Sequence, residues 1–270
     1  MLPLNFDTNH DKKAKAYCSR LFCINCQTVL CLLQADKHTN SGCQPMIRRT
    51  AVCARRIGAV YLRQRANLSI AAVANATAEI ITSLPASTST GCVSSVTGGS
   101  VVSVAPAAVN VEGSSVYLYA GEKITMENLL FALMLQSAND AAAAIAIEVA
   151  GSIEAFADMM NRRAGEMGLR DTHFANPHGL DDSEHYTTAK ELAIIAAEAL
   201  KNPRFAEIVS TAKKSIPLHD GTATRLLVNH NRLLRTYDDV IGVKTGFTKK
   251  CGRTLVSAAQ RDGVTLICVT

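Results

Sequence analysis

The stretch from Phe131 to Gly151, FALMLQSANDAAAAIAIEVAG, constrains the fold of this chain more than any other. An apolar helical run leads into it, an alanine-rich run leads out, and Ser137-Ala138-Asn139 lies between them. Serine and asparagine are preferred helix caps, so a cap is the simplest interpretation of these residues. The alternative is a cleft, because residues i and i+2 at the junction of two buried helices can both face one opening.

The composition describes a globular protein with a substantial core. The chain has 270 residues, of which 48% are hydrophobic and 19% charged, which suits one large domain or two small ones. Tryptophan is absent and aromatic residues make up only 5%, so we expect Leu, Ile, Val and Ala to fill the core. No run of about 18 apolar residues occurs, so no membrane-spanning helix is expected.

The nine cysteines do not form a recognisable metal or disulfide pattern. Seven lie within the first 92 residues, and their one CxxC pair is Cys23–Cys26. A zinc site needs a second such pair, or histidines at ligand spacing, and neither follows. An odd count at irregular spacing also argues against a disulfide framework. We therefore expect no metal and no cofactor.

Residues 1–36 have the outline of a secretory signal, a basic segment followed by an apolar one over Leu21–Ala35. Asn25 and Gln27 interrupt the apolar part, and no small-x-small cleavage site follows. The signal peptide is therefore not convincing.

Residues 1–100 have a biased composition. Between residues 37 and 100, Glu79 is the only acid, and no lysine occurs between Lys37 and Lys123. Arginines crowd the first half of this span, and Ser83–Ser100 is mostly Ser, Thr, Gly and Val. We interpret 1–100 as an atypical basic region, disordered or loosely folded. An arginine-rich arm could touch nucleic acid, but without aromatics or a known module we expect no nucleic-acid partner.

From Val101 onward the hydrophobic pattern becomes regular, which predicts a second region, 101–270, of mixed helices and strands. An Asp262-Gly263 pair is expected to form a hairpin turn. The predicted helices are Met126–Gln136, Asn139–Ala150, Ile153–Met167, Thr188–Leu200 and one beginning over Pro203–Val209. The predicted strands are Val101–Val104, the end of Val111–Leu118, Lys214–Leu218, Arg225–Val228, Val240–Thr245, Arg253–Ala259 and Thr265–Val269.

A second group of polar residues interrupts one of these strands. Gly242-Val243-Lys244-Thr245-Gly246 places a lysine, a hydroxyl and a glycine on an apparent core strand. Glycine in a strand often marks close approach by another backbone. Lysine there would offer a fixed cation to a carboxylate. The alternative is an edge strand whose lysine is solvated.

Taken together, these motifs resemble those of the D-alanyl-D-alanine carboxypeptidases. Ser137-x-Asn139 stands about a hundred residues before Lys244-Thr245-Gly246, with Val111–Leu118 and Asn176–Leu180 around them. These low-molecular-weight penicillin-binding proteins form serine peptidase family S11, related to β-lactamases. The resemblance covers Val101 to Thr270. It implies an α/β (α+β) fold of the β-lactamase/transpeptidase type, an antiparallel sheet flanked by helices, here expected to be incomplete at both ends.

The resemblance also implies a reaction and residue roles. A serine attacks the carbonyl between two D-alanines of a peptidoglycan stem peptide, and water then cleaves the acyl-enzyme. Ser137 would carry a proton to the leaving amine, and Asn139 would bind the acyl side of the substrate. Lys244 and Thr245 would hold the terminal carboxylate, and the strand through Gly246 would pair with the extended peptide. β-Lactams would bind as mimics, and the protein would work outside the cytoplasm.

The chain departs from this family at its nucleophile. The family's serine-x-x-lysine motif belongs N-terminal to Ser137, where the lysine-free gap excludes it. Ser87 has a suitable setting, but Thr90 stands where lysine is needed. The only serine-x-x-lysine, Ser210–Lys213, comes in the wrong order and is interpreted as coincidence. Because such residues act as a unit, we expect the chain as written to be catalytically defective.

The abrupt change at Val101 suggests a shift of reading frame upstream, although a natural replacement of that part would look the same. Three functions remain open. They are a serine-type carboxypeptidase in lineage, a non-catalytic protein that binds peptidoglycan or β-lactams, and a non-functional fragment.

Overall fold

The computed structural model describes residues 66–67, 99–218 and 221–270. The suspected signal segment, the Cys23–Cys26 pair, the arginine-rich arm and Ser87 lie outside the described residues. The described part of the chain contains both helices and antiparallel strands, which confirms the predicted α/β class. The strands are β1 Ala66–Asn67, β2 Val101–Ser103, β3 Lys123–Thr125, β4 Tyr186–Thr187, β5 Lys213–Pro217, β6 Thr224–Val228, β7 Val240–Thr248, β8 Gly252–Arg261 and β9 Val264–Val269. The helices are α1 Met126–Gln136, α2 Asn139–Ala150, α3 Ile153–Glu166, α4 Ala189–Ala199 and α5 Pro203–Ser210.

Local capping residues set the helix starts where the sequence predicts them. The side chain of Thr125 accepts a hydrogen bond from Asn128 N at the start of α1, and Ser152 accepts one from Ala155 N at the start of α3. Gly151, at φ 83°, ends α2 in the left-handed conformation that glycine adopts most readily.

The segment from Val111 to Leu118 is an exception, since its predicted strand does not form. Its backbone is irregular because the carboxylate of Asp140 takes the N–H groups that a strand would offer to a neighbour. Asp140 accepts from Val116 N at 3.3 Å and from Leu118 N at 3.0 Å. A buried side chain therefore replaces a β ladder here.

A three-stranded antiparallel sheet in the order β7-β8-β9 carries the C-terminal part of the chain. The hairpin turn between β8 and β9 is at Asp262 and Gly263, both at positive φ, as a two-residue turn requires. Helix α5 packs against β7, and α4 packs against β8 and β9. Strand β7 thus has one strand neighbour, β8, among the described residues.

One hydrophobic cluster joins the helices to this sheet. Helix α2 lies within it, contacting both α1 and α3, and five of its nine buried residues are alanines. The predicted core consists of aliphatic residues, but the observed core also contains aromatic ones. Four phenylalanines are among its largest fully buried side chains, namely Phe131, Phe156, Phe174 and Phe205. Within the described ranges, none of the helices is both long enough and apolar enough to cross a membrane.

Candidate active site

The junction between α1 and α2 does not use its polar side chains as caps. Ser137 ends α1 in the left-handed conformation, at φ 57° and ψ 37°, with its backbone N–H bonded to Ala132 O. Ala138 occupies the N-cap of α2 and offers no side-chain hydrogen bond. The cap interpretation is therefore wrong. Ser137 and Asn139 are nevertheless only 5% and 1% exposed, so their side chains must find partners elsewhere.

The partner of Ser137 is the lysine of β7. Lys244 is 1% exposed, and its Nζ donates to Ser137 Oγ and, at 2.9 Å, to the carbonyl of Thr245. Lys244 is therefore not solvated, contrary to the alternative interpretation, although β7 is an edge strand of the sheet that the described residues form. Burial lowers the pKa of Lys244 to about 7, because the charged ammonium loses its hydration.

A histidine lies in the electrostatic field of this lysine. His230 is an exposed residue whose ring loses part of its hydration, and its backbone N–H donates to Leu135 O in the last turn of α1 at 3.2 Å. Burial lowers the pKa of His230, and the positive charge of Lys244 lowers it further. Both effects keep His230 neutral at physiological pH.

The side-chain amide of Asn139 is hydrogen-bonded through its nitrogen but not through its oxygen. Its Nδ2 donates to Glu112 O at 2.5 Å, and its backbone N–H donates to Ser114 O at 2.8 Å. Its Oδ1 is buried and has no hydrogen-bond partner among the described residues. Asn139 thus presents an unsatisfied acceptor beside the Ser137–Lys244 pair.

Gly113 makes room for this arrangement. Its φ is +98°, and a Cβ atom there would stand 2.6 Å from Asn139 Nδ2 and 3.9 Å from Leu180 Cδ2. Only glycine adopts this positive φ readily and also leaves room for the Asn139 side chain at this distance. Gly113 lies within Val111–Leu118 and has no role that could be predicted from the sequence, since a glycine in a loop gives no sign of what it contacts.

Asp140 is a second residue whose structural role was not predicted from the sequence. It directly follows the Ser137-x-Asn139 motif, is 1% exposed, and its Oδ2 accepts from Ser115 Oγ at 2.6 Å. Together with its bonds to the backbone of Val116 and Leu118, this holds the loop that carries Glu112 and Gly113 against the start of α2. Its position directly after the Ser137-x-Asn139 motif was the one feature of the sequence that could have indicated this role.

The Asn176–Leu180 loop borders the same site. Asn176 ties the loop together, accepting from Gly179 N at 2.7 Å and donating to Leu180 O at 3.0 Å. At one end Leu180 approaches Gly113, and at the other Asp181 accepts from the hydroxyl of Thr248, which ends β7. The loop thus contacts the segment that holds Asn139 at one end and the end of β7 at the other.

The remaining predicted residues of β7 follow Lys244 along the strand. Thr245 pairs with Leu255 and Gly246 with Thr254, and both are half-buried. The serine-x-x-lysine at Ser210–Lys213 is placed differently. Ser210 is exposed at the end of α5, with its hydroxyl donating to Glu207 O at 3.1 Å. Among the described residues, no group of three metal-ligating side chains could hold a metal ion.

Comparisons with known proteins agree on one family. Residues 72–270 match the family model of peptidase S11, D-alanyl-D-alanine carboxypeptidase. The D-alanyl-D-alanine carboxypeptidase DacF of Bacillus subtilis is 37% identical over 163 residues, which cover 60% of this chain and 41% of that protein. A D-alanyl-D-alanine carboxypeptidase of Streptomyces is 35% identical over 57% of this chain and 56% of its own length. This chain thus spans about half the length of these curated relatives.

The fold agrees with solved structures as well. The crystal structure of the Streptomyces K15 DD-transpeptidase superimposes with a TM-score of 0.69 and 28% sequence identity, covering 77% of this chain and 81% of that one. The D-alanyl-D-alanine carboxypeptidase DacD of Francisella tularensis gives a TM-score of 0.65 at 26% identity.

Proposed function

Because the chain belongs to the D-alanyl-D-alanine carboxypeptidase family, we propose that the site between α1, α2 and β7 binds peptidoglycan stem peptides ending in D-Ala-D-Ala. The observation that carries this proposal is the buried Lys244 ammonium held against Ser137. A cation with no carboxylate side chain bonded to it among the described residues is suited to the terminal carboxylate of such a peptide.

Each predicted site residue has a part in this proposal. The buried Oδ1 of Asn139 accepts a hydrogen bond from an amide N–H on the acyl side of the peptide. Lys244 and Thr245 hold the carboxylate, while the edge of β7 that has no strand neighbour among the described residues pairs with the extended backbone through Gly246. Ser137, bonded to Lys244, passes a proton to the amine of the departing D-alanine. β-Lactams bind as mimics of the same dipeptide.

The proposal includes a deficit in turnover. The reaction of this family begins at a serine activated by a lysine three residues later, and the chain holds that pair only at Ser210–Lys213. Ser210 bonds within its own helix rather than with Ser137 or Lys244. We therefore expect a serine-type carboxypeptidase by lineage that binds its substrate and releases little D-alanine. We expect it to act outside the cytoplasm, where the proposed peptidoglycan substrate is found.

The test is equilibrium binding of a synthetic stem peptide ending in D-Ala-D-Ala, measured by calorimetry. The matched control ligand has a carboxamide in place of the terminal carboxylate. We expect binding of the acid, at least tenfold weaker binding of the amide, and the same loss with Lys244→Met, since one charge-assisted bond is worth about 1.5–3 kcal/mol. Equal binding of acid and amide, or no binding, would refute the proposal.

Two assays measure whether the protein turns over its substrate: release of free D-alanine and covalent labelling by a fluorescent penicillin. We expect neither to exceed the background of the Ser137→Ala variant. Rapid release at the rate of an active carboxypeptidase would show that a nucleophile exists and that the proposed deficit is wrong. A protein that is unfolded by circular dichroism and sensitive to proteases would instead be the non-functional fragment.

A further inference from the structure

Three residues, Asn229 to Asn231, connect the two parts of the site, which are the end of α1 at Ser137 and strand β7 with Lys244. They follow β6 and precede a short 3₁₀ helix, and both asparagines are almost fully buried, at 3% and 1% exposure. Buried amides must be hydrogen-bonded, and those bonds fix whatever they join. Neither asparagine belongs to the motifs from which the site was predicted.

On one side the segment holds β7. Asn231 Nδ2 donates to Gly242 O at 3.0 Å, two residues before Lys244. Ser257 Oγ on β8 donates to the same carbonyl at 3.2 Å. The register between β7 and β8 shifts between Val240 and Gly242, so the regular ladder is interrupted where these side chains bind.

Gly242 also touches α5. A Cβ atom at this position would stand 2.8 Å from Val209 Cγ2, so β7 lies directly on the helix there. Asn229 secures the end of that helix, because its Nδ2 donates to Val209 O at 3.2 Å and to Thr211 O at 3.1 Å. Asn229 Oδ1 in turn accepts from Asn231 N at 2.9 Å, which couples the two amides.

On the other side the segment holds α1. His230 N donates to Leu135 O at 3.2 Å. Just before the segment, the carbonyl of Val228 at the end of β6 accepts from Gln136 Nε2 at 3.4 Å. These bonds fall in the last turn of α1, immediately before Ser137. The same short segment therefore holds the backbone on both sides of the Ser137–Lys244 hydrogen bond.

We propose that Asn231 is a positioning residue, which sets the contact between Ser137 Oγ and Lys244 Nζ by holding the carbonyl of Gly242. The Asn231 amide binds β7, the backbone of the adjacent His230 binds α1, and Asn231 is hydrogen-bonded to neither of the two reacting side chains. Its loss leaves Ser257 as a donor to Gly242, so the strand persists while its distance from Ser137 becomes variable.

The test compares Asn231→Ala with Asn161→Ala, a matched control. Asn161 also ties a loop with both ends of its amide, donating to Phe174 O at 2.9 Å and accepting from Phe174 N at 2.8 Å, but Phe174 belongs to neither α1 nor β7. The main readout is the pKa of the Lys244 ammonium, measured by nitrogen NMR and assigned with Lys244→Met. Because His230 titrates beside Lys244, both variants are also measured with His230→Gln, which keeps the backbone bond to Leu135.

We expect Asn231→Ala to raise the pKa of Lys244 by about half a unit or more, since water reaches the loosened ammonium. The dissociation constant of the D-Ala-D-Ala peptide should rise about five- to tenfold. Asn161→Ala should lower the melting temperature and change neither quantity. If Asn231→Ala lowers only the melting temperature, as the control does, Asn231 is merely structural and the proposal is wrong.

A second variant covers the case in which Asn231→Ala does not fold. Ser257→Ala removes the other donor to Gly242 and should move the pKa of Lys244 in the same direction by a smaller amount; an unchanged pKa would overturn the proposal. The peptide readout rests on the proposed function, whereas the pKa readout does not. If the unmodified protein binds no peptide, the proposed function fails and the pKa comparison alone decides the part of Asn231.

Discussion

Lys244 Nζ donates a hydrogen bond to Ser137 Oγ, although the two residues lie 107 positions apart and come from a strand and a helix end. Both side chains are almost completely buried. A buried ammonium bonded to a hydroxyl and a carbonyl is costly in a folded protein, because neither neutral partner replaces the hydration of a full charge. Such a cost is expected where a site awaits a negatively charged ligand.

The first prediction is that Lys244→Met stabilises the protein near pH 7. Burial lowers the pKa of Lys244 from 10.5 to about 7, so between these values the unfolded chain binds more protons than the native state. Stability of the unmodified protein therefore rises as the pH rises through this window. Lys244→Met should add roughly 2–4 kcal/mol at pH 7, and the gain should vanish by about pH 10.5.

Urea unfolding at several pH values measures this effect. Lys190→Met serves as the control, because it removes the same ammonium group from an exposed position on α4. A Lys244→Met variant whose stability parallels that of the unmodified protein at every pH would show that Lys244 carries no burial cost.

The second prediction concerns Gly113→Ala. The added Cβ would meet Asn139 Nδ2 at 2.6 Å, so Asn139 must move away from Glu112 O. We expect a loss of about 2–4 kcal/mol in unfolding free energy, part from the positive φ and part from the clash. Affinity for a D-Ala-D-Ala peptide should fall as well.

Gly121→Ala separates these two causes. Gly121 has φ +80° and nothing within 4 Å of an added Cβ, so its substitution should cost only about 1–2 kcal/mol of backbone strain and leave peptide affinity unchanged. Equal effects of the two substitutions, in stability and in binding, would contradict the role given to Gly113.

The third prediction is acid sensitivity caused by His185. This residue is 1% exposed, its Nδ1 accepts from Ala175 N at 2.9 Å, and burial lowers its pKa to about 4. As the pH falls from 6.5 towards 4, the unfolded chain takes up the proton that the native state resists, so stability falls. His185→Asn keeps an acceptor for Ala175 but cannot titrate. It should reduce this loss by about 2 kcal/mol at pH 4.

Thermal unfolding between pH 4 and 7 is the measurement for His185. The melting temperature of His185→Asn should depend less on pH than that of the unmodified protein. An unchanged slope would assign the acid sensitivity to other groups, of which His178 is the first to examine, because burial lowers its pKa to about 4 as well.

The fourth prediction concerns the buried ion pair between Glu122 and Arg225. Glu122 is fully buried, and Arg225 binds both of its carboxylate oxygens while donating to Tyr117 O at 3.1 Å. Arg225→Leu leaves the carboxylate buried without its partner and should cost about 3–5 kcal/mol in urea unfolding. The double variant Glu122→Gln/Arg225→Leu should recover a large part of that loss. A double variant no more stable than the single one would argue against an uncompensated charge as the cause.

Helix boundaries and strand positions were largely predictable, because capping residues and hydrophobic periodicity act locally. Thr125, Ser152 and the Asp262-Gly263 turn each behave as their local chemistry requires. The irregular path of Val111–Leu118 was not predictable, since the residue that causes it, Asp140, lies more than twenty positions away. A side chain that takes backbone N–H groups at long range leaves no periodic signal.

The same distinction applies to the site. Ser137, Asn139 and Lys244 could be singled out because polar residues interrupt apolar patterns there. Gly113 and Asn231 could not, because each matters for its contact with a residue far away in the sequence. Gly113 leaves room for the side chain of Asn139, and Asn231 donates to the carbonyl of Gly242. The roles of Thr245 and Gly246 stay predictions until a peptide is bound.

Helix α2 has almost no exposed face, because nine of its twelve residues are buried against its neighbours. Its amide hydrogens can therefore exchange with solvent only when the surrounding helices separate, which amounts to opening the whole core. The helix that begins with Asn139 should be among the last segments of the described chain to take up deuterium, while the loop it anchors at Glu112 exchanges early. Slow hydrogen exchange would then mark the rigid side of the cleft without any ligand being present.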